Sequence, residues 1–316
     1  MNRSGAAPSI DAFAAVLGDL ECDPQSIPGF DELWEALGPG ADLATMGCEN
    51  FRKMSSPIED YVIACIDQTL ERHGTAATDV DHIVFSMTDA TLGLVGPDFV
   101  VDVLKATGMV RCIPAVISYQ QCCSSLTALH YGWQLFASDA TEHVIVVAFD
   151  FRSDDRDRLR PFALFGDAVT SCMISRRSGS GLRLAASAIT MDFDGLIGND
   201  SFASRQKASR TALQAASDDA GVGLDALTRV FPSNLFKPLT LFNSAAAGID
   251  KAKLHFDTTF RTYGHCGNPD WMLNLLDFEA TVGIDEADTF LAVASAPGFF
   301  ACNLLVAQGP GSNNGG

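Results

Sequence analysis

Two apolar runs constrain this chain more than anything else in it. "HVIVVAFD" (143–150) and "DTFLAVASAPGFFACNLLVAQ" (288–308) show almost no alternation with polar residues, and the second is hinged at Pro297 and Gly298. A strand with one wet face alternates; a run that does not belongs to a sheet covered on both sides. Similar runs recur at "VDHIVFSM" (80–87), "IPAVISY" (113–119), within "PFALFGDAVTSCMISRR" (161–177), at Leu182–Asp192 and near "TRVFPSN" (228–234). Between them lie helical patterns: 56–73, opened by Ser56 and Pro57, then 98–108, Ser204–Ala220, 239–249 and 269–281. Strands separated by helices predict an α/β protein with helices on both sheet faces.

The order of elements partly repeats after the "RSGSG" stretch (177–181), although no tight sequence repeat accompanies it. Two similar halves are expected, 1–178 and 179–309, followed by a disordered tail at 310–316. A length of 316 residues agrees with two units at about 150 residues per domain.

Charge narrows the function. Lys and Arg total 21 against 39 Asp and Glu, a net −18, which argues against nucleic acid and anionic membranes, because phosphate contacts need basic side chains. No run approaches the roughly eighteen apolar residues of a membrane span, and no leader pattern opens the chain. Nine cysteines, an odd number scattered in apolar contexts with no Cys-x-x-Cys pair, point to a reducing compartment and no structural metal. A soluble cytoplasmic protein is expected.

The chemistry centres on "VISYQQCCSSLTALHYG" (116–132). A strand ends near Tyr119 and a helix begins at about Cys122 and Cys123. Exposed N–H groups and the macrodipole at a helix start favour an anion, so a thiolate forms there more readily than in water. Cys122 is thus either a nucleophile or a small core residue, since free Cys is among the most buried residue types. Cys123 reads as packing.

At this point the chain resembles the ketoacyl-ACP synthase III branch of the thiolase superfamily, over nearly its whole length. The strand–Cys–helix segment is similar to the family's nucleophile site, and "LFGDAVTSCMI" (164–174) to its Phe-Gly-Asp-Gly-Ala signature, with Ala168 for the second glycine. "YGHCGNPDWMLNL" (263–275) is similar to a Gly-His-Cys loop of a specialised-metabolism subgroup, and "SAPGFFACNLL" (295–305) to the closing hairpin. The resemblance implies a five-layer αβαβα body of two similar halves, a homodimer, and an acyl-Cys122 intermediate drawn from a coenzyme A or phosphopantetheine thioester. It also implies oxyanion donors on the backbone of Cys122 and Gly298.

The chain departs from that family at "FPSNLF", where Ser233 stands in place of the usual histidine, beside Asn234. The later loop carries His265, Asn268 and Asp270, and whether Asn268 or Asp270 fills the third catalytic position depends on where a short gap falls. Asn234 with His265 would reproduce the Asn and His of thiolases. Decarboxylative condensation uses two side chains together on the enolate oxygen, so losing one weakens it more than transfer to an oxygen, nitrogen or sulfur nucleophile, which needs a single base. The expected function is therefore acyl transfer with His265 as base. β-Ketoacyl synthesis and a non-catalytic subunit of a heterodimer are the alternatives.

Blander readings accompany each residue. His265 alone reads as a hydrogen-bonded loop histidine, Ser233 and Asn234 as a strand-end cap, and Asp167 as a turn residue. His73, His82, His130, His143 and His255 read as structural. Arg152 to Arg160 reads as a solvated loop, and also as the one candidate for meeting a phosphopantetheine or carrier surface. Phenylalanines in "DTTF", "PGFF" and "NLF" either line an acyl pocket or fill core.

Overall fold

The computed structural model describes residues 7–38, 42–176, 181–199 and 201–309. The expected boundary at 178/179 and the tail 310–316 lie outside these. Among the described residues the main strands are β1 (Ser9–Leu17), β2 (His82–Ser86), β3 (Ile113–Ile117), β4 (His143–Asp150), β5 (Ala168–Ser175), β6 (Gly181–Met191), β7 (Arg229–Phe231), β8 (Thr289–Ala296) and β9 (Phe299–Gln308). The helices that cover them are α1 (Ile58–His73), α2 (Phe99–Thr107), α3 (Ser124–Gln134), α4 (Phe202–Ala220), α5 (Lys237–Ala247) and α6 (Asp270–Thr281).

The strands run β3-β2-β4-β5-β1 in the first half and β7-β8-β9-β6 in the second, joined where Ile10 of β1 pairs with Leu182 of β6. The halves match in direction as well as order. β2 is parallel to β3 and β4, as β7 is to β8, and the remaining pairs are antiparallel. The counterpart of β3 in the second half is reduced to one parallel bridge, Val230 to Leu254.

Five layers follow from which faces are apolar. α1 and α2 cover the outer face of the first sheet through Val62, Ile66 and Val103, packed on Ile83, Val147 and Met173. α4 covers the outer face of the second through Ala212, Leu213 and Ala216. α3 and α6 fill the middle, where Leu126, Leu129, Met272 and Leu275 meet both sheets. A helix segment between two sheets has no wet face, and α6 is buried without interruption from Asp270 to Leu275 and again at Phe278, its last turn emerging to solvent. No helix among the described residues is long and apolar enough to cross a membrane.

Segments read from periodicity fall close to their expected limits. β1 does not follow from the sequence, because a bulge between Asp11 and Ala14, with Ala12 at φ +49, breaks the two-residue period of "SIDAFAAVL".

Candidate active site

The turn between β3 and α3 sets the position of Cys122. Residues Gln121–Cys123 form a 3-10 turn, and the α-helix starts one residue later than the cysteine pair, at Ser124. The reason is a cap from elsewhere in the chain: Asn268 Oδ1 accepts the Ser125 N–H at 2.7 Å. Gln121 takes φ +53, a left-handed conformation that costs a non-glycine residue about 1–2 kcal/mol and is held in place by its surroundings. Cys122 is half-buried, whereas Cys123 is in the core, where burial pushes its thiol well above the ordinary value.

His265 arrives from the second half. Its N–H donates to the Leu164 carbonyl at 2.7 Å, and its own carbonyl accepts the Gly166 N–H at 3.1 Å. That crossing requires glycine, since a Cβ on Gly166 would lie 1.9 Å from the Tyr263 carbonyl oxygen. The "LFGD" segment and the "GHCGN" loop, remote in sequence, are thereby one structural unit. The Phe165 ring packs on the imidazole with centroids 4.7 Å apart, and the Arg152 guanidinium lies 4.1 Å over the same phenyl ring.

The imidazole is held at both nitrogens. Nε2 lies 3.5 Å from Cys122 Sγ, and Nδ1 contacts Asp270 Oδ2. Asp270 is fixed in turn by the Cys266 N–H on Oδ1 and the Asn234 N–H on Oδ2, each at 2.7 Å. Complete burial of His265 disfavours its charged form. The charges of Asp270 and Cys122 and their hydrogen bonds outweigh that, raising it from the ordinary 6.5 to about 10. Cys122, His265 and Asp270 form a continuous Cys–His–Asp line.

The other expected residues stand apart from it. Asn268 is completely buried and fully engaged, its Nδ2 donating to the Gln121 carbonyl at 3.1 Å and to Asp150 Oδ2 at 2.9 Å. Of the two residues left open by the sequence, Asp270 touches the histidine and Asn268 holds the turn that carries Cys122. Asn234, also completely buried, donates through Nδ2 to Thr259 Oγ1 at 3.3 Å and accepts from Asn274 Nδ2 at 3.0 Å. It is the Asn234 backbone N–H, not its amide, that reaches Asp270, the partner of His265. Ser233 is buried in the loop after β7 and is absent from the cleft wall. Gly298 makes the turn between β8 and β9 at φ +74, packed so closely on Leu196 that a Cβ would meet its Cγ at 2.6 Å.

A cleft of about 590 Å³ reaches Cys122 and His265. Tyr119, Phe162, Leu239 and Phe299 give it an apolar wall, and Arg152 and Arg205 give it positive charge. The three phenylalanine stretches divide. Phe299 and Leu235 line the cleft, while Phe260, Phe236 and Phe300 are core. The arginine loop is not uniformly solvated either. Arg158 is fully buried, bonded to Asp167 at 2.7 and 2.9 Å, and Asp167 also accepts the N–H groups of Met54 and Arg152. Asp167 accordingly fixes loops, as expected, while Arg158 is its counter-charge.

Sequence reasoning missed Asp150 and Phe165. Asp150 had a signal, an acidic residue closing an apolar run, where a buried carboxylate must be fully bonded.

No protein-family profile matches the chain, and no curated protein sequence does. Solved structures do. ChlB3, described as an acyltransferase, superposes with TM-score 0.81 at 16% identity, over 96% of this chain and 98% of its own. Cerulenin-bound OleA of Xanthomonas campestris gives 0.79 at 14% identity over 96% and 98%. The 3-oxoacyl-[acyl-carrier-protein] synthase III of Aquifex aeolicus VF5 gives 0.75 at 15% over 95% and 99%. The chain has the thiolase fold, in the form these proteins share.

Proposed function

We propose that the protein is an acyltransferase of the ketoacyl-ACP synthase III type, moving an acyl group from a thioester to an oxygen, nitrogen or sulfur nucleophile through acyl-Cys122. The observation that carries this reading is the Cys122–His265–Asp270 line. An imidazolium beside the sulfur favours the thiolate, which attacks the thioester carbonyl. The oxyanion is assigned to the backbone N–H groups of Cys122 and Gly298. Collapse breaks the C–S bond to the donor, and the departing thiolate takes the His265 proton. Acylation removes the sulfur's negative charge, one of the two anions that hold the proton on His265. The neutral imidazole can then accept the proton of the acceptor as it attacks the acyl-Cys carbonyl. The second collapse expels the Cys122 thiolate and restores the ion pair.

Condensation needs a second donor on the enolate oxygen. The amides of Asn234 and Asn268 are both committed to structural hydrogen bonds, which favours heteroatom transfer. A non-catalytic subunit has no reason to keep a complete Cys–His–Asp line. The donor is assigned to coenzyme A or a carrier-borne phosphopantetheine, with Arg152 and Arg205 on the cleft wall suited to its phosphates. A homodimer is supported by β3, an edge strand with Ile113 62% and Val116 43% exposed. A cytoplasmic setting is supported by nine free cysteines.

Intact-protein mass spectrometry with a panel of acyl-CoA thioesters tests the proposal. The expected result is an acyl adduct, absent in Cys122→Ala, that persists with malonyl-CoA and discharges to an oxygen, nitrogen or sulfur acceptor. Release of carbon dioxide and a ketoacyl product on adding malonyl-CoA would overturn heteroatom transfer in favour of condensation.

A further inference from the structure

One buried carboxylate outside the Cys–His–Asp line has more partners than any group in it. Asp150 ends β4 at 2% exposure. Its Oδ1 accepts from the Thr88 N–H at 2.9 Å and from the hydroxyls of Thr88 and Thr91, each at 2.7 Å. Its Oδ2 accepts the backbone N–H and the side-chain amide of Asn268 at 2.8 and 2.9 Å. The second proton of that amide goes to the Gln121 carbonyl at 3.1 Å, and the amide oxygen caps Ser125 at 2.7 Å. The two hydrogen bonds from Asn268 therefore bracket Cys122, one on the residue before it and one at the start of the helix after it.

We infer that Asp150 is a positioning residue that acts through Asn268. It fixes the amide's orientation so that its oxygen and nitrogen hold the left-handed Gln121 turn and bring Cys122 Sγ to His265. Two facts single this out from ordinary core bonding. The residue gripped, Gln121, has a positive φ, a conformation that relaxes unless something holds it. In addition, Asn268 belongs to the loop that carries His265, so one side chain ties nucleophile and imidazole into a common frame. The amide must be this way round, because Asp150 Oδ2 and the Gln121 carbonyl can only accept and the Ser125 N–H can only donate.

The inference rests on the proposed role of Cys122 and His265, but its test needs no acyl donor. The readout is the rate of iodoacetamide labelling of Cys122 against pH, in the full chain, with thermal melting recorded alongside. Asp150→Asn and Asn268→Ala should each lower labelling near neutral pH, by up to about 10²-fold, the scale of a 1 Å misplacement. Labelling above the pH where free thiols ionise should change little. The double variant should fall no further than the worse single variant, because the two act in series. Should Asp150→Asn fail to fold, Thr91→Val, which removes one donor of five, should show the same effect at smaller size. An unmoved labelling profile in variants that melt lower would overturn the inference and leave a structural role. Additive losses in the double variant would overturn action through Asn268. Failure of the acyltransferase reading would show separately, as normal labelling with no acyl adduct from any donor.

Discussion

His265 Nε2 lies 3.5 Å from Cys122 Sγ while Asp270 holds the other ring nitrogen, across 143 residues of sequence in the first contact and five in the second. The long contact depends on the packing of two halves; the short one is set within a single loop and helix start. Each has its own consequence for experiment.

Cys122 is the cysteine that faces an imidazole, whereas burial pushes Cys48, Cys65 and Cys302 up to about 12. Iodoacetamide near neutral pH should label Cys122 first, and Cys122→Ala should lose both that label and any acyl adduct. Peptide mapping after limited alkylation checks this, and labelling spread over other thiols would contradict it.

Asp270→Asn keeps the shape of the side chain and removes its charge, so the imidazolium loses its main support and the ring its fixed tautomer. Acylation should slow by about 10⁴-fold, with little change in donor KM, as for the orienting carboxylate of other triads. Single-turnover kinetics measures it.

The same charge links stability to pH. His265 is raised from 6.5 to about 10 on folding, so its contribution is fully present below pH 6.5 and is lost as pH rises through 10. Denaturation midpoints followed from pH 6 to 10 should therefore fall, and fall less in His265→Gln than in the unmodified protein.

Asn234→Ala separates a structural amide from a catalytic one. It leaves Asn274 and Thr259 short of a buried partner, at a cost of about 1–3 kcal/mol. Acylation in the folded fraction should stay within about tenfold of the parent, since the side chain does not touch His265. Urea unfolding and burst kinetics give the two numbers.

Arg158→Met should strand the Asp167 carboxylate in the interior. Breaking a buried pair by removing one partner costs about 3–5 kcal/mol, and urea melts report it. A loss under about 1 kcal/mol would mean that water reaches Asp167.

The layered α/β architecture and most element limits were legible because burial writes its own pattern: β4 and β8–β9 are apolar along most of their length as they lie between helix layers. The position of Cys122 was legible because strand–Cys–helix is a local pattern, and the motif order carried the fold. β1 was not, because its bulge destroys the period from which a strand is read.

What the sequence determined by itself is therefore local: where chain segments are buried, and which cysteine pair stands between a strand and a helix. Only the tertiary structure decided which polar side chains meet. Asn268 and Asp270 are two positions apart and chemically alike in reach, yet one grips the Gln121 turn and the other the imidazole. The choice rests on α6 packing beside α3 between the two sheets, with the Gly166 crossing fixing the loop. Hydrogen bonds are short-ranged and directional, so a partner is selected by placement to within a fraction of an ångström. Composition and spacing do not carry that information; the packed layers do.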